Sequence, residues 1–418
     1  MNSQKEKQSN SVPEWQLDLD KVGFVRRLLL ARKWYKGDWW FVLISAILLF
    51  FIILVGAFPQ WFAPYDPREE VGPSLLKPGE KTPGFLLLTN IADNVGSFQD
   101  IASASNKIGY IMGSQATQAF RDGLDLLNAQ SQEEGTGLMY QPRGYRYETA
   151  QQGLDALEAG EIDGFIVAES ELGDLLTEYP GIQFLEEIRS SKAESFILGT
   201  NQLGQDILSR IIWGTRIALI VGLSSALISF VIGVPLGLFS GFIGGKVDRF
   251  LTMIMDSLYA FPGLILAIAI ASVLGAGMGN IIVAIAVIYI PTYFRVVRGQ
   301  TLTVKNELYV EAARSLGTKM MTILTKYIFP NVLPSVVIIF SVNVADAILT
   351  EAGLSFIGLG LPPDTPDWGI DLARGQDYLR SAWWLITFPG GMVSLVTLAF
   401  SMLGESLSEI LNPRLSEL

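Results

Sequence analysis

The chain has 418 residues, half of them hydrophobic, a mean hydropathy of +0.37 and only 17% charged side chains, which excludes a purely soluble protein of this length. It has no cysteine and no histidine, which removes disulfides, thiol catalysis, histidine acid–base chemistry and the commonest zinc ligands, and leaves the compartment open. The net charge of −11 has one source: residues 81–195 hold 18 acidic and 7 basic side chains, and the remainder is neutral. An acidic balance confined to one segment argues against nucleic acid as a partner.

Residues 1–38 read as a cytoplasmic lead, polar at first and then basic. Lys21, Arg26, Arg27, Arg32, Lys33 and Lys36 come with no acid among them. With Trp34, Tyr35, Trp39 and Trp40 the segment suits an interfacial helix, and a plain positive flank explains the charge as well. Trp39–Phe58 (39–58) is the first uncharged run long enough to cross a hydrocarbon core; lacking a small-residue cleavage site, it reads as an uncleaved anchor. Ala63-Pro-Tyr-Asp-Pro67 ends it, because two prolines this close do not continue a helix.

Residues 81–195 are long enough for a small domain. Lys107–Met112 predicts a strand, followed by Gly113-Ser114 and a helical stripe of Ala116, Phe120, Leu124 and Leu127. A second helix is expected at Thr149–Ala159, with Ala150, Leu154 and Leu157 on one face and Gly160 after it. Ile162–Ala168 reads as a buried strand, Leu172–Glu178 as a short helix and Ile182–Leu185 as a last strand. Strands alternating with helices imply a parallel α/β sheet.

Residues 196–418 hold the other apolar runs. Ile217–Ile243 is a second span, and Ser257–Phe294 contains a third and fourth, broken by Gly275-Ala-Gly-Met-Gly-Asn280. Pro330–Phe356 is a fifth, interrupted by Asp346 and Glu351, and Ser381–Gly404 is a sixth. Lipid offers no partner to backbone polar groups, so all six are helices. The expected fold is therefore an all-α polytopic membrane protein with an inserted extracytoplasmic α/β domain. Lys246, Arg249, Arg295, Arg298, Lys305, Arg314, Lys319 and Lys326 fall on the side of the basic N-terminus, and Asp364, Asp367, Asp371 and Asp377 on the other. The positive-inside bias then makes both termini cytoplasmic and 81–195 extracytoplasmic.

Several residues stand out. Glu311 to Leu316 suits a short surface helix, Gly317 permits a tight turn, and Lys319 to Ile328 continues as a second helix up to Pro330. Between two spans, that makes a rigid knob suited to receiving force from another subunit. Ala312 and Ala313 let a partner approach closely, and Glu311 pairs either with a partner's basic group or with Arg314 at i+3. Ionisable groups at membrane depth face a cavity or a partner. Asp346, with Asn343 on the same helix face, is read as lining a translocation path; Glu351 either joins them or sits at the outer interface. Pro235, Pro262 and Pro291 read as packing kinks, and Gly237 and Gly241, four apart, as a close helix contact. Gly244-Gly245-Lys246 is no phosphate-binding loop, since Ser240 stands where glycine is required and Val247 where Ser or Thr is. No catalytic residue, metal ligand or cofactor motif is found.

Glu311–Pro330, with Gly317 six residues after the glutamate and Pro330 thirteen after the glycine, resembles the cytoplasmic EAA loop of ABC-importer permeases, here 305–330. Phe329 stands where that family usually has leucine. Leu198-Gly-Thr-Asn-Gln-Leu-Gly-Gln-Asp-Ile-Leu-Ser-Arg210 and Trp213-Gly-Thr-Arg216 resemble the segment before the second span of dipeptide, oligopeptide and nickel permeases. Asn201 and Gln205 are uncharged departures from its acidic and basic positions. Glu351-Ala-Gly-Leu-Ser-Phe-Ile-Gly-Leu-Gly360, Pro362-Pro-Asp-Thr-Pro-Asp-Trp-Gly369 and Asn412-Pro-Arg-Leu415 resemble the same family. The likeness covers about 33–68 and 196–415, and the 81–195 insertion lies outside it. Ser97-Phe-Gln-Asp, Lys107-Ile-Gly-Tyr and Leu157-Glu-Ala-Gly-Glu-Ile-Asp-Gly-Phe-Ile-Val resemble one lobe of a periplasmic solute-binding protein.

The resemblance implies a type I ABC-importer permease in the bacterial inner membrane, moving peptides or a related small solute such as a nickel complex. It implies a second permease subunit, two cytoplasmic ATPase subunits and an extracytoplasmic solute-binding protein as partners, with lipid around the spans. Glu311, Ala312, Ala313, Arg314, Gly317 and Pro330 would carry ATPase coupling, and ATP chemistry would belong to the partners. The rival reading is a membrane-anchored receptor with 81–195 as its sensing domain; a membrane enzyme lacks any supporting motif.

Overall fold

The computed structural model describes residues 36–72, 74–80, 85–93, 95–102, 106–111, 116–133, 139–172, 175–188 and 195–411. The basic lead before Lys36, Met112, Gly113-Ser114 and Asn412–Leu415 lie outside the described residues. The chain divides into two compact units. One comprises the described residues up to Pro64 with those from Ser209 on, and the other is Tyr65–Leu208.

The first unit begins with α1 (Lys36–Ala57), of which Trp39–Ala57 is long and apolar enough to cross a membrane. A single turn at Pro59–Phe62 follows.

The second unit is built on a five-stranded sheet. Its elements are β1 (Phe85–Asn90), β2 (Lys107–Ile111), α2 (Ala116–Glu133), β3 (Arg143–Tyr147), α3 (Ala150–Glu158), β4 (Gly164–Ala168) and β5 (Ile182–Ile188). The strand order is β3-β2-β4-β1-β5. Helical crossovers make β2 parallel to both β3 and β4. The sheet is nevertheless mixed, because β1 runs antiparallel to β4 and β5. Among the described residues of this unit no crossover helix leads into β1, so nothing there imposes the parallel direction. β4 is buried along its whole length. Leu87, Ile108, Ile166 and Phe120 form the core on one face, and Leu88, Phe165, Leu154 and Leu157 that on the other. Thr149 caps α3 by accepting from the Gln152 amide.

The base of this unit is a second small layer. Leu75 and Asn201, Leu76 and Thr200, and Gly79 and Phe196 are joined by backbone hydrogen bonds, and Val71, Leu76 and Phe196 pack together. The uncharged Asn201 and Gln205 meet each other: the Asn201 amide donates to Gln205 Oε1 at 2.8 Å, and its oxygen accepts from the Leu203 and Gln205 amides.

From Ile207 the chain returns to the membrane unit through α4 (Ile207–Ile243), α5 (Gly245–Tyr259), α6 (Gly263–Leu274) and α7 (Met278–Val304). Next come α8 (Leu308–Ser315) and α9 (Met320–Phe356), then α10 (Trp368–Gly375) and α11 (Trp384–Leu411). Among the described residues, α1, α4, α7, α9 and α11 are the five helices long and apolar enough for a straight span. The expected third span is not straight: α5 and α6 meet at 88°, with Pro262 as the residue before α6. Twelve-residue α6 rises only about 18 Å, short of the roughly 30 Å hydrocarbon core. Pro235 and Pro291, by contrast, lie inside continuous helices.

α4 packs on α7 along a ridge of small residues spaced by four. Ser225 donates to the Ile282 carbonyl at 3.3 Å and Ser229 to that of Ala286 at 2.8 Å. A Cβ added at Gly233, Gly237 or Gly241 would lie 2.8, 2.8 or 2.9 Å from the carbonyl oxygens of Ile290, Phe294 and Arg298. Each pair is offset by the same number of residues and both series rise together, so the two helices run parallel. Leu49, Ala218, Val344, Ile348, Val396 and Phe400 form the core shared by α1, α4, α9 and α11.

Candidate functional site

The loop between α7 and α9 is built around α8. Leu316 closes that helix, and Gly317 follows with φ +74°, a left-handed conformation that costs glycine little. Gly317 donates to the Arg314 carbonyl at 3.0 Å and Thr318 to that of Ala313 at 3.1 Å, the paired bonds of a Schellman turn. The turn is held by backbone alone.

One side of α8 is buried and the other presented. Val310 packs inward with Ile323, Leu324 and Ile328, and Ala313 is buried on the same helix. Glu311, Ala312, Arg314 and Gly317 are exposed, flanked by Leu308 and Leu316 at 82% and 86% exposure. Exposed leucines at that level leave this face of α8 apolar and uncovered among the described residues. Ala313 is therefore buried in the scaffold, and Ala312 alone of the two alanines is exposed. Arg314 lies 5.1 Å over the Phe242 ring, and among the described residues Glu311 has no ion-pair partner, so the i+3 pair does not form.

The second helix of the loop is not a separate element. Met320–Thr322 runs through a π-helical stretch, Ile323–Ile328, into Phe329–Phe356 as one rod. Pro330 is exposed and falls at the start of the last segment instead of stopping the helix. At N1 or N2 a proline's missing N–H is no loss, and the π register frees it from the usual bond. Thirty-seven residues rise about 55 Å, so the rod extends beyond any bilayer core.

Farther along α9 a cavity of about 600 Å³ opens between that helix, the α5–α6 bend and α7. Asn343 and Asp346 line it, as do Thr350, Tyr289, Tyr259 and Thr292. The Tyr289 and Thr350 hydroxyls are 3.0 Å apart, and Thr350 donates to the Asp346 carbonyl at 2.7 Å. At the bend, Arg295 stacks 4.0 Å over Tyr259 and pairs with Asp256 at 2.9 Å.

Glu351 is placed differently from the expectation. It does not line the cavity; it is 1% exposed, accepts from Ser355 Oγ at 2.8 Å and hydrogen-bonds the Asp367 carboxyl. Five positions along a helix turn it some 140° from Asp346, which carries it to the core side. Asp367 caps α10 by accepting from the Ile370 amide at 2.9 Å, and burial pushes its carboxyl up. One turn on, burial also raises Asp371, opposed by buried Arg210, which contacts it at 2.7 Å and donates to the Thr365 carbonyl. Trp368 donates from Nε1 to the Ile211 carbonyl and lies against Gly214. The charge at this end of the unit is thus structural, joining α4, α9 and α10.

Residues 233–417 match the family described as binding-protein-dependent transport system inner membrane component. A glutathione transport system permease protein of Pectobacterium atrosepticum is 39% identical over 262 residues, covering 62% of this chain and 87% of its own. The chain belongs to the permease family of ABC importers. A di/tripeptide transport system permease protein of Pseudomonas aeruginosa is 39% identical over 220 residues, 53% of this chain and 73% of its own. Among solved structures, the inward-facing MetNI methionine ABC transporter covers 47% of this chain and 96% of its own, at 20% identity and a TM-score of 0.39. This ABC permease is a multi-pass inner-membrane transport subunit whose family works with ATPase and substrate-binding partners. The nickel and receptor readings are not carried forward, since the matched relatives are permeases named for glutathione and di/tripeptides.

Proposed function

We propose that this permease imports short peptides or glutathione-like thiol peptides as one of two permease subunits, driven by two cytoplasmic ATPases and supplied by an extracytoplasmic binding protein. Glu311, Ala312, Arg314 and Gly317 form the ATPase-docking surface, with Ala313 and Pro330 shaping it. Asn343 and Asp346 line the translocation path. The observation that carries this reading is the unbroken rod α9, which links the presented helix at one end to the cavity at the other. A two-state element biased at one end by a partner and read out at the other is what coupled transport requires.

Six spans and cytoplasmic termini follow from the same reading. α4 and α7 run parallel in constant register, and parallel packing requires the α5–α6 pair between them to recross the membrane. The bent pair is then one broken span, and its irregular backbone borders the cavity, where such breaks are tolerated. Residues 81–195 lie on the extracytoplasmic side as an accessory docking or gating domain, lipid lies against the exposed face of α1, and ATP hydrolysis belongs to the partner subunits.

Because the chain has no cysteine, single cysteines report contacts cleanly. In the assembled complex, Ala312→Cys should cross-link to an ATPase subunit and buried Ala313→Cys should not. Glu187→Cys in intact cells should react with an impermeant maleimide. Absence of the Ala312 cross-link, or equal reaction at both alanines, counts against the docking surface.

A further inference from the structure

The cavity's walls are mostly apolar, and Asp346 is the sole charged side chain among its lining residues. Among the described residues no lysine or arginine pairs with it. A carboxylate exposed within a span calls for a cation or water. Asn343, three positions earlier, has the opposite need. It is 3% exposed, and its Nδ2, beside the buried Tyr293 hydroxyl, makes no well-formed hydrogen bond among the described residues, a costly condition for a buried donor. An acceptor-only anion and an unmet donor therefore stand about 4.5 Å apart in rise along one helix face.

We propose that this pair binds the free α-amino end of a short peptide, the ammonium on Asp346 and the adjoining carbonyl oxygen on Asn343 Nδ2. An unblocked peptide terminus carries a cation and an acceptor on neighbouring atoms, which complements this pair and no apolar solute. An α-amino group is largely protonated at neutral pH, with a pKa of about 7.7–8.0. The Tyr289 and Thr350 hydroxyls offer the ammonium further acceptors, while Phe261, Leu264 and Ile339 leave room for the first side chain without specifying it. A volume of about 600 Å³ suits a ligand of this size. Recognition of the terminus with indifference to the side chain would let one cavity pass many sequences.

The inference rests on the reading of this cavity as the translocation path, and the test separates the two. Trialanine and N-acetyltrialanine are titrated by saturation-transfer NMR against the purified permease–ATPase complex without binding protein. Wild type should favour trialanine about tenfold, since a charge-assisted bond is lost on acetylation. Asp346→Asn should abolish the preference. Asn343→Leu should weaken both peptides several-fold while keeping it, because both retain the carbonyl. Equal binding of the two peptides by wild type, no binding of either, or a preference surviving in Asp346→Asn overturns the proposal. Transport by the same variants in proteoliposomes is the second readout. Altered transport without amine preference removes this inference alone, whereas unaltered transport in both variants removes the pathway reading beneath it.

Discussion

Gly317 offers a graded test of the docking loop. It holds φ +74° at the end of α8, and no atom lies within 4 Å of where a Cβ would stand. Substitution therefore meets no clash, and its whole cost is conformational. For alanine that cost is about 1–2 kcal/mol, which lowers the population of the turn about five- to thirtyfold. Asparagine tolerates the left-handed region and should fall between glycine and alanine, while β-branched valine should be worst. Thr318 and Gly317 donate the two bonds that fix the turn, so losing it frees Leu316 and the exposed end of α8. The assay is substrate-stimulated ATPase activity of the reconstituted complex, normalised to incorporated permease, for Gly317, Gly317→Asn, Gly317→Ala and Gly317→Val. Activity should fall in that order. Equal activity across the series would falsify the claim that this turn presents the coupling surface. An asparagine variant below alanine would show that side-chain chemistry, and not φ, decides.

Three further outcomes are expected. Gly237→Ala sets a methyl 2.8 Å from the Phe294 carbonyl and should destabilise the α4–α7 pair by about 1–3 kcal/mol; Gly299→Ala, on α7 but in open space, should instead be neutral or gain up to about 1 kcal/mol of helix propensity. Thermal denaturation in detergent separates them, and equal shifts would remove the close-contact account. Arg210→Ala strands Asp371 and should cost about 3–5 kcal/mol, whereas Arg210→Met with Asp371→Leu should recover most of it; denaturation of the double variant no later than the single one would count against a buried pair. Asp346→Asn should change the initial transport rate with assembly intact, and Asp346→Leu should still insert; unchanged transport in both reduces Asp346 to a tolerated polar residue.

Much of the membrane unit was legible because apolar runs state their own length. Five of the span positions followed from the runs, the third being a bent helix pair, and the α8 turn followed from Glu311 to Gly317. What escaped depended on contacts between distant segments. Gly237 and Gly241 suggested a close approach, but Ser225, Ser229 and Gly233 extend that ridge through hydrogen bonds and packing that need α7 in place. Pro262 reads as a kink, yet the 88° break depends on how α5 and α6 pack. Among strands, β1 was missed because it is buried on both faces and does not alternate, and β3 because Arg143, Gly144 and Arg146 suit an exposed edge better than a core. Because β1 is the antiparallel strand, its omission made a mixed sheet read as parallel, while parallel β3 changed only the strand count. Glu351 was misread between path and interface because only the Asp367 contact, sixteen residues on, shows which way it turns.

The π-helical stretch at Ile323–Ile328 fixes more than the path of the chain around Pro330. Each α-helical residue turns the backbone by about 100°, so one residue gained or lost in this stretch rotates everything beyond it by that amount. The azimuth at which Asn343 and Asp346 meet the cavity is thus set about 30 Å away, next to α8. Two surfaces that never touch are held in phase by the residue count between them. A single deletion there, such as Thr325, would leave both surfaces well formed and point the polar face of the rod away from the cavity it serves.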